Sequence, residues 1–319
     1  KKLFFIDENL FPHLIEVMKT KCGALEIDYI IDNINNVNIN DKLFGLITSY
    51  PNNFGNIEIK KELFNDLNKE NIPLITHNDL MSLMLLEPPG NIGANISVGS
   101  TQSFGLPLWF GGPHSSFISC DTKYLRFMPG RIVGKSIDRN DNECFRLALQ
   151  TREQHIRKDK ALSNICTSQA LLANTSAMYA IYHGKENLIN ISKNIYFKTL
   201  TISEILKSND FNVYNDSIYN CITLRIMNDN IYNSLEKIGF LIRKIDDSKI
   251  SFTINETFEN EDCVILINEI INSSYDKTKK LINLKYFLKK KKDLEENNKK
   301  NNKFRTDNFL EQDIFKEAK

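Results

Sequence analysis

The run LITHNDLM, residues 74–81, ends an apolar, strand-like stretch on an acid, so Asp79 stands just past the carboxyl end of a buried strand. Ligands of open parallel sheets collect outside such ends, and a carboxylate placed there can hold a protonated ring nitrogen. The same acid opens DLMSLMLL, where it could equally cap a helix, and the two roles are compatible. Gln102 follows 23 residues later in ANISVGSTQSFG, where a second strand gives way to Ser100, Thr101, Gln102 and Ser103. A lysine at that second strand end would complete a pyridoxal phosphate site, the acid holding the pyridinium charge and the lysine the aldehyde. Gln102 offers an amide nitrogen, which is not nucleophilic, so no Schiff base can form at this position.

FGGPHSSF, residues 110–117, is either a cradle of backbone N–H groups for an anion or a tight turn between strands. It lacks both glycine-rich phosphate patterns, and His114 within it reads as a structural histidine. Denser is the stretch LALQTREQHIRKDK, where Arg152, Glu153, Gln154, His155 and Arg157 crowd together ahead of a helix whose N-terminus would attract anions. It reads as a solvated charged face or as an anion contact. Thr151, Gln154, His155 and two arginines depart from the Lys/Glu pairing of a merely solvated helix, and arginine suits planar carboxylate or phosphate. No Ser/His/Asp arrangement, paired-carboxylate motif, His-Glu-x-x-His or nucleophile elbow is present. The six cysteines are far apart with no Cys-x-x-Cys or zinc spacing, so no metal site and reduced thiols are expected.

The elements that must position these residues follow from periodicity. From residue 1 to about 120, KKLFFID, KLFGLITSY and IPLITHND alternate with the helical patterns LFPHLIEVMKTKCGAL and IEIKKELFNDLNKEN. Strands and helices in that alternation predict right-handed crossovers and a parallel sheet covered on both faces. A hairpin is expected around DRNDNE. A long helix is expected over SNICTSQALLANTSAMYAIYHG, capped at Ser163 or Asn164 and stopped at Gly184. A second helix from 185, strands at FNVYN, SIYNCITLRI and IRKIDDSKISFTIN, and a helix at DNIYNSLEKIGF predict a small α+β unit, with a boundary near 180–210. LKKKKDLEENNKKNNK reads as a solvated helix end or a disordered linker.

At 319 residues, 41% hydrophobic, the chain can bury one large domain or two. A net charge of +1 supplies no basic excess for nucleic acid. No apolar run reaches the roughly 18 residues that span a bilayer, so no membrane partner is expected. The first residue is Lys1, with neither a signal core nor an amphipathic leader after it, and the chain is expected to begin inside a longer one.

FGGPH, MPGRIVG, VGSTQSFG and the long run ALQTREQHIRKDKALSNICTSQALLANTSAMYAIYHG together resemble the N-terminal half of the glycine cleavage system P-protein, glycine decarboxylase. The match continues in order from FFIDENLFPHLIEVM through THNDLMSLMLLEPPGNIGANISVGS to FRTDNFLEQDIF, nearly the whole chain. The resemblance implies an α/β, fold-type-I pyridoxal phosphate-dependent transferase-like large domain with a smaller α+β C-terminal domain. On that basis residues 1–185 form the large domain, incomplete at its N-terminus, residues 186–285 the small domain, and residues 286–319 a low-complexity linker and tail.

In that family two homologous halves pack together and only the C-terminal half bears the Schiff-base lysine. The resemblance therefore implies a chain with no catalytic residue of its own: Gln102 stands at the degenerate lysine position, Asp79 belongs to a degenerate pseudo-site, and pyridoxal phosphate is bound covalently by the partner half. The implied reaction releases CO2 from glycine and passes the aminomethyl group to the lipoyl arm of the H-protein. Thr151, Arg152, Gln154, His155 and Arg157 are the implied interface. Family members carry Arg at Ser103, Asp at Asn95 and Thr at Leu162; that threonine region reaches the neighbour's cofactor phosphate, which leaves Ser163 and Asn164 for the contact. The compartment implied is the cytoplasm in a bacterium and the mitochondrial matrix in a eukaryote. The alternative reading is a non-catalytic structural or regulatory interaction protein derived from this half.

Overall fold

The computed structural model describes residues 2–128, 131–149, 154–161, 169–227, 229–274, 279–301 and 304–317. Strand β1 (Leu3–Asp7) leads through α1 (Pro12–Ala24) to β2 (Asp28–Asp32), and β3 (Leu43–Tyr50) through α2 (Lys61–Lys69) to β4 (Leu74–Asn78). With β5 (Ile96–Ser100) and β6 (Ser116–Cys120) these strands form one sheet in the order β2-β1-β3-β4-β5-β6. All pairs are parallel except β5–β6. The chain lays β2 on one side of β1 and then crosses to lay β3 on the other. The order reverses between β1 and β3, which opens a crevice at their carboxyl ends.

Alternation of side chains along the strands builds a core on each face. Phe4, Ile6 and Ile47 pack with Leu10 and Cys22 on the α1 side, while Phe5, Leu46 and Leu74 pack with Phe64 and Leu67 of α2 on the other. The pattern of strands and intervening helices read from the sequence is thus realised, with two edge strands added, the parallel β2, which the sequence reading did not name, and the antiparallel β6.

The expected hairpin is β7 (Ile132–Ile137) with β8 (Glu143–Leu149), a separate two-stranded ribbon. After the short helix α3 (Gln154–Arg157), helix α4 runs from Ala170 to Ser208. Gly184 interrupts it with φ 63° and ψ 175°, so the expected stop is a kink, and the second expected helix continues directly from it. Ala180, Leu188 and Ile195 of α4 join the core of the large sheet, while Ile202, Ile205 and Leu206 join the second core. One helix therefore links both.

The second core lies on the antiparallel sheet β10 (Arg243–Asp246), β11 (Lys249–Thr253), β9 (Cys221–Arg225), covered by α5 (Asn230–Lys237) and α6 (Asn260–Asn272). FNVYN contributes only an isolated bridge, Val213 to Leu224, because it meets β9 at a single point. The Lys- and Asn-rich run forms α7 (Leu284–Asn301), whose Phe287 is fully buried in the second core. Phe304, Phe309, Leu310 and Phe315 then return to the first core, Phe315 lying on the short helix α8 (Ile314–Glu317).

Candidate functional site

β4 delivers Asp79 to the carboxyl end of the large sheet. Its Oδ1 accepts from the Ser103 hydroxyl at 3.0 Å and from the Met81 N–H at 3.2 Å, and the Ser82 hydroxyl donates to its backbone carbonyl at 2.7 Å. The acid therefore both ends the strand and caps the turn into a short 3-10 segment at Ser82–Met84. Burial pushes its carboxyl above the ordinary range, opposed by the bonds from Ser103 and the backbone. The buried Ser192 hydroxyl of α4 donates to the Met81 carbonyl at 2.9 Å and meets the Tyr219 hydroxyl at 2.8 Å, fixing this turn to the helix.

Gln102 is turned into its own loop. Its N–H donates to the Ser100 hydroxyl at 3.1 Å, and its side-chain amide donates to the Leu106 carbonyl at 2.8 Å. Thr101 is held by Ser115 and by Ser176 of α4. Ser103, where the resembling family carries arginine, supplies the hydroxyl on Asp79. Asn95 also has a full set of partners: it accepts from the Leu74 N–H at 2.8 Å and donates to Asn68 and to the Asp121 carboxylate, each at 2.9 Å. An amide donor is what the Asp121 carboxylate requires here.

FGGPH forms a turn. The N–H groups of Gly111 and Gly112 both donate to the Leu108 carbonyl, at 2.9 and 3.0 Å, and so are not directed at an anion. His114 meets the Pro107 carbonyl at 3.3 Å. Gln154 and Arg157 lie exposed on α3, and His155 lies on its backbone. Thr151, Arg152, Leu162, Ser163 and Asn164 fall outside the described residues. Of the cysteines, Cys22, Cys120, Cys144, Cys221 and Cys263 are free thiols. Among the described residues no cluster of ligating side chains could hold a metal, and no helix is long and apolar enough to cross a membrane.

A cleft of about 700 Å³ opens outside the carboxyl ends of β1, β3 and β4 and is closed from the other side by β9, β10 and β11. His77 and Asp79 line it, two residues apart and so on one face of β4. The His77 Nδ1 lies 3.2 Å from the Ser49 hydroxyl, and its ring meets Phe11 edge-on with centroids 5.4 Å apart. Burial, with His13 nearby, pushes its pKa down to about 4, so the ring is neutral at pH 7. From the second sheet, Arg243 donates to the side-chain and main-chain carbonyls of Asn53. Cys221 lines the same wall, its thiol pushed up to about 11, chiefly by burial. Among the described residues no lysine lines the cleft, and the Schiff base of pyridoxal phosphate needs a primary amine, so these residues do not fit its covalent attachment. Sequence reasoning missed His77, which its spacing to Asp79 could have revealed, and Arg243, which no local pattern marks.

The family model for the glycine cleavage system P-protein matches residues 1–270. The chain belongs to the glycine cleavage system P-protein family. A putative mitochondrial glycine dehydrogenase (decarboxylating) of Schizosaccharomyces pombe is 39% identical over 282 residues, 86% of this chain and 27% of that protein. The glycine dehydrogenase (decarboxylating) of Dechloromonas aromatica is 37% identical over 275 residues, 86% of this chain and 28% of that protein. The chain thus spans little more than a quarter of the length of these relatives. A crystal structure of glycine decarboxylase (P-protein) in inhibitor-bound form superposes with TM-score 0.78 at 25% identity, covering 86% of this chain and 66% of that one. A structure of C-DES with glycine covalently linked to its pyridoxal phosphate cofactor shares the fold, with TM-score 0.56 at 13% identity over 84% of this chain and 74% of that one. The P-protein chain described here has the fold of the fold-type-I pyridoxal phosphate-dependent enzymes.

Proposed function

We propose that this chain is the lysine-lacking N-terminal half, or subunit, of a glycine decarboxylase, inactive alone and completing the active site of a lysine-bearing C-terminal half. The observation that carries the reading is Gln102: it stands in the loop after β5 with its amide bonded to Leu106, and among the described residues no lysine lines the cleft that Asp79 enters. Pyridoxal phosphate, held covalently by the partner half, supplies the electron sink for the loss of CO2 from glycine, and the lipoyl arm of the H-protein takes the aminomethyl group. Thr151, Arg152, Gln154, His155 and Arg157 meet the partner in this reading, and Ser163 and Asn164 extend toward its cofactor, while Asp79 is the acid of a pseudo-site. The work takes place in the cytoplasm of a bacterium or the mitochondrial matrix of a eukaryote.

An uncovered apolar stripe supports the need for a partner. Leu171, Met178 and Tyr182 share one face of α4 and are 73%, 61% and 73% exposed, opposite the buried Leu172, Ser176 and Ala180. The test mixes the purified chain with a lysine-bearing half and lipoylated H-protein. Alone, the chain should show no Schiff-base absorption and no decarboxylation, and activity should appear on mixing. Arg152→Ala or His155→Ala should weaken assembly more than Gln102→Ala does. Cofactor fixed by borohydride to a lysine of the chain alone overturns the reading, and binding to the other half without turnover favours the structural alternative.

A further inference from the structure

The cleft between the two sheets has a feature that the lost lysine does not explain. Arg243 is half-buried in its wall, and among the described residues no carboxylate lies within ion-pair distance of it. Its neighbours Lys244 and Lys249 each hold an aspartate. The hydrogen bonds of Arg243 all leave one terminal nitrogen, Nη1, toward Asn53. A guanidinium carries five N–H donors in a flat fork, so the rest of this fork has no counterpart among the described residues. The carboxylate that shares the cleft, Asp79, is committed to Ser103 and the Met81 N–H.

Arg243 is partly open to the cleft, and a fork of this geometry matches a planar carboxylate with two parallel bonds. The cleft lies at the switch point of the parallel sheet, and its volume of about 700 Å³ is that of a small-molecule pocket. Its walls are mixed in the way ligand pockets are: Phe11, Pro51 and Phe252 supply flat apolar surface, and Thr253 and the amide of Asn52, whose carbonyl is taken by the Phe54 and Asn56 N–H groups, supply polar edges. We propose that this cleft is a non-covalent binding site for a small planar carboxylate, seated on the Arg243 guanidinium with its apolar body against Phe11. A ligand so placed bridges the carboxyl end of the large sheet to β10, and occupancy of the cleft reports on the second sheet directly.

The site goes beyond the proposed role as an inactive half and is tested without turnover. Benzoate serves as the probe, benzamide as its neutral counterpart and inorganic phosphate as a competing anion. Cys221 in the cleft wall is the reporter, labelled at about pH 9.5, where a thiol of pKa about 11 is partly ionised: benzoate should slow its alkylation by a small neutral reagent, read by peptide mass spectrometry, and leave Cys120 and Cys144 unaffected. Titration calorimetry should give saturable benzoate binding that Arg243→Gln weakens roughly ten- to a hundredfold, the scale of lost charge-assisted hydrogen bonds. Arg243→Lys should recover only part of it. Thermal melting of both variants shows whether they are folded. Failure of benzoate to protect Cys221, equal protection by benzamide, or benzoate binding unchanged in folded Arg243→Gln overturns the proposal. Stronger protection by phosphate overturns the carboxylate assignment.

Discussion

Replacing Gly99 by alanine tests whether the close approach of β4 and β5 is what holds Asp79 in place. A Cβ built on Gly99 would overlap the backbone carbonyl oxygen of Asn78, and would lie 2.6 and 2.9 Å from two ring carbons of Phe117. The Phe117 ring is partly exposed and can swing away. The Asn78 carbonyl cannot move alone, because its side chain donates to the Tyr50 carbonyl at 3.0 Å and accepts from Ser97 at 2.7 Å, and Asp79 is the next residue. Overpacking of this kind costs about 1–3 kcal/mol or somewhat more, and the reduced entropy of the unfolded chain returns about 0.4–1 kcal/mol, for a net loss near 2 kcal/mol. With a urea slope of about 2 kcal/mol per molar, the midpoint followed by circular dichroism should fall by about 1 M. Gly23 in α1 has nothing within 4 Å of its would-be Cβ, so Gly23→Ala should raise the midpoint slightly. Adding Phe117→Ala to Gly99→Ala should not restore stability, since the ring is the yielding partner. Full rescue by that second change, or an unchanged midpoint for Gly99→Ala, refutes the carbonyl contact as the constraint.

Gly184→Ala should also destabilise, by about 1–3 kcal/mol in urea melts, because φ 63° with ψ 175° is a glycine conformation and the new Cβ would lie 2.5 Å from the Phe315 carbonyl oxygen. Its signature should be local: trypsin should cut at Arg305, 9% exposed and anchored by its N–H to the Leu85 carbonyl, before the rest of the chain opens. The neutral His77 gives a pH dependence of known sign. Its folded pKa of about 4 lies below the ordinary 6.5, so its contribution is complete above pH 6.5 and is lost as pH falls toward 4, a loss of a few kcal/mol. Buried Asp7 and Asp79 are raised instead and contribute stability at low pH that fades as pH rises through their folded values. Comparing melts of wild type and His77→Gln across pH 4–7 isolates the histidine; equal slopes in the two proteins refute the assignment.

What was legible in the sequence was local. Strand and helix alternation up to β6 follows from side-chain period, and Asp79 could be placed at a strand end because the apolar run stops there. The kink at Gly184 was legible as a stop, yet not as a joint within one helix, because continuation depends on Leu188 and Ile195 finding the large core and Ile202 and Leu206 the small one. The docking of α7 rests on Phe287 and on Lys291, which bonds Asn194 of α4, in a segment whose composition is otherwise that of a solvated tail. Arg243 was illegible for the same reason in a stronger form: its place comes from Asn53, 190 residues away, and from the absence, among the described residues, of an acid beside it.

That contrast bears on the proposed reading of a site without its lysine. In that reading Gln102 stands in place of one amine, a change visible in a single letter, but the crevice itself is produced by strand order, by the turn that Asp79 caps and by the second sheet closing over it. None of those depends on position 102. The Ser103 hydroxyl on Asp79 and the Asn95 amide on Asp121 show neighbouring positions satisfied in their present chemistry. Arg243 is the exception: among the described residues its fork meets only Asn53, and a guanidinium on a cleft wall with donors to spare is the group that a carboxylate ligand engages.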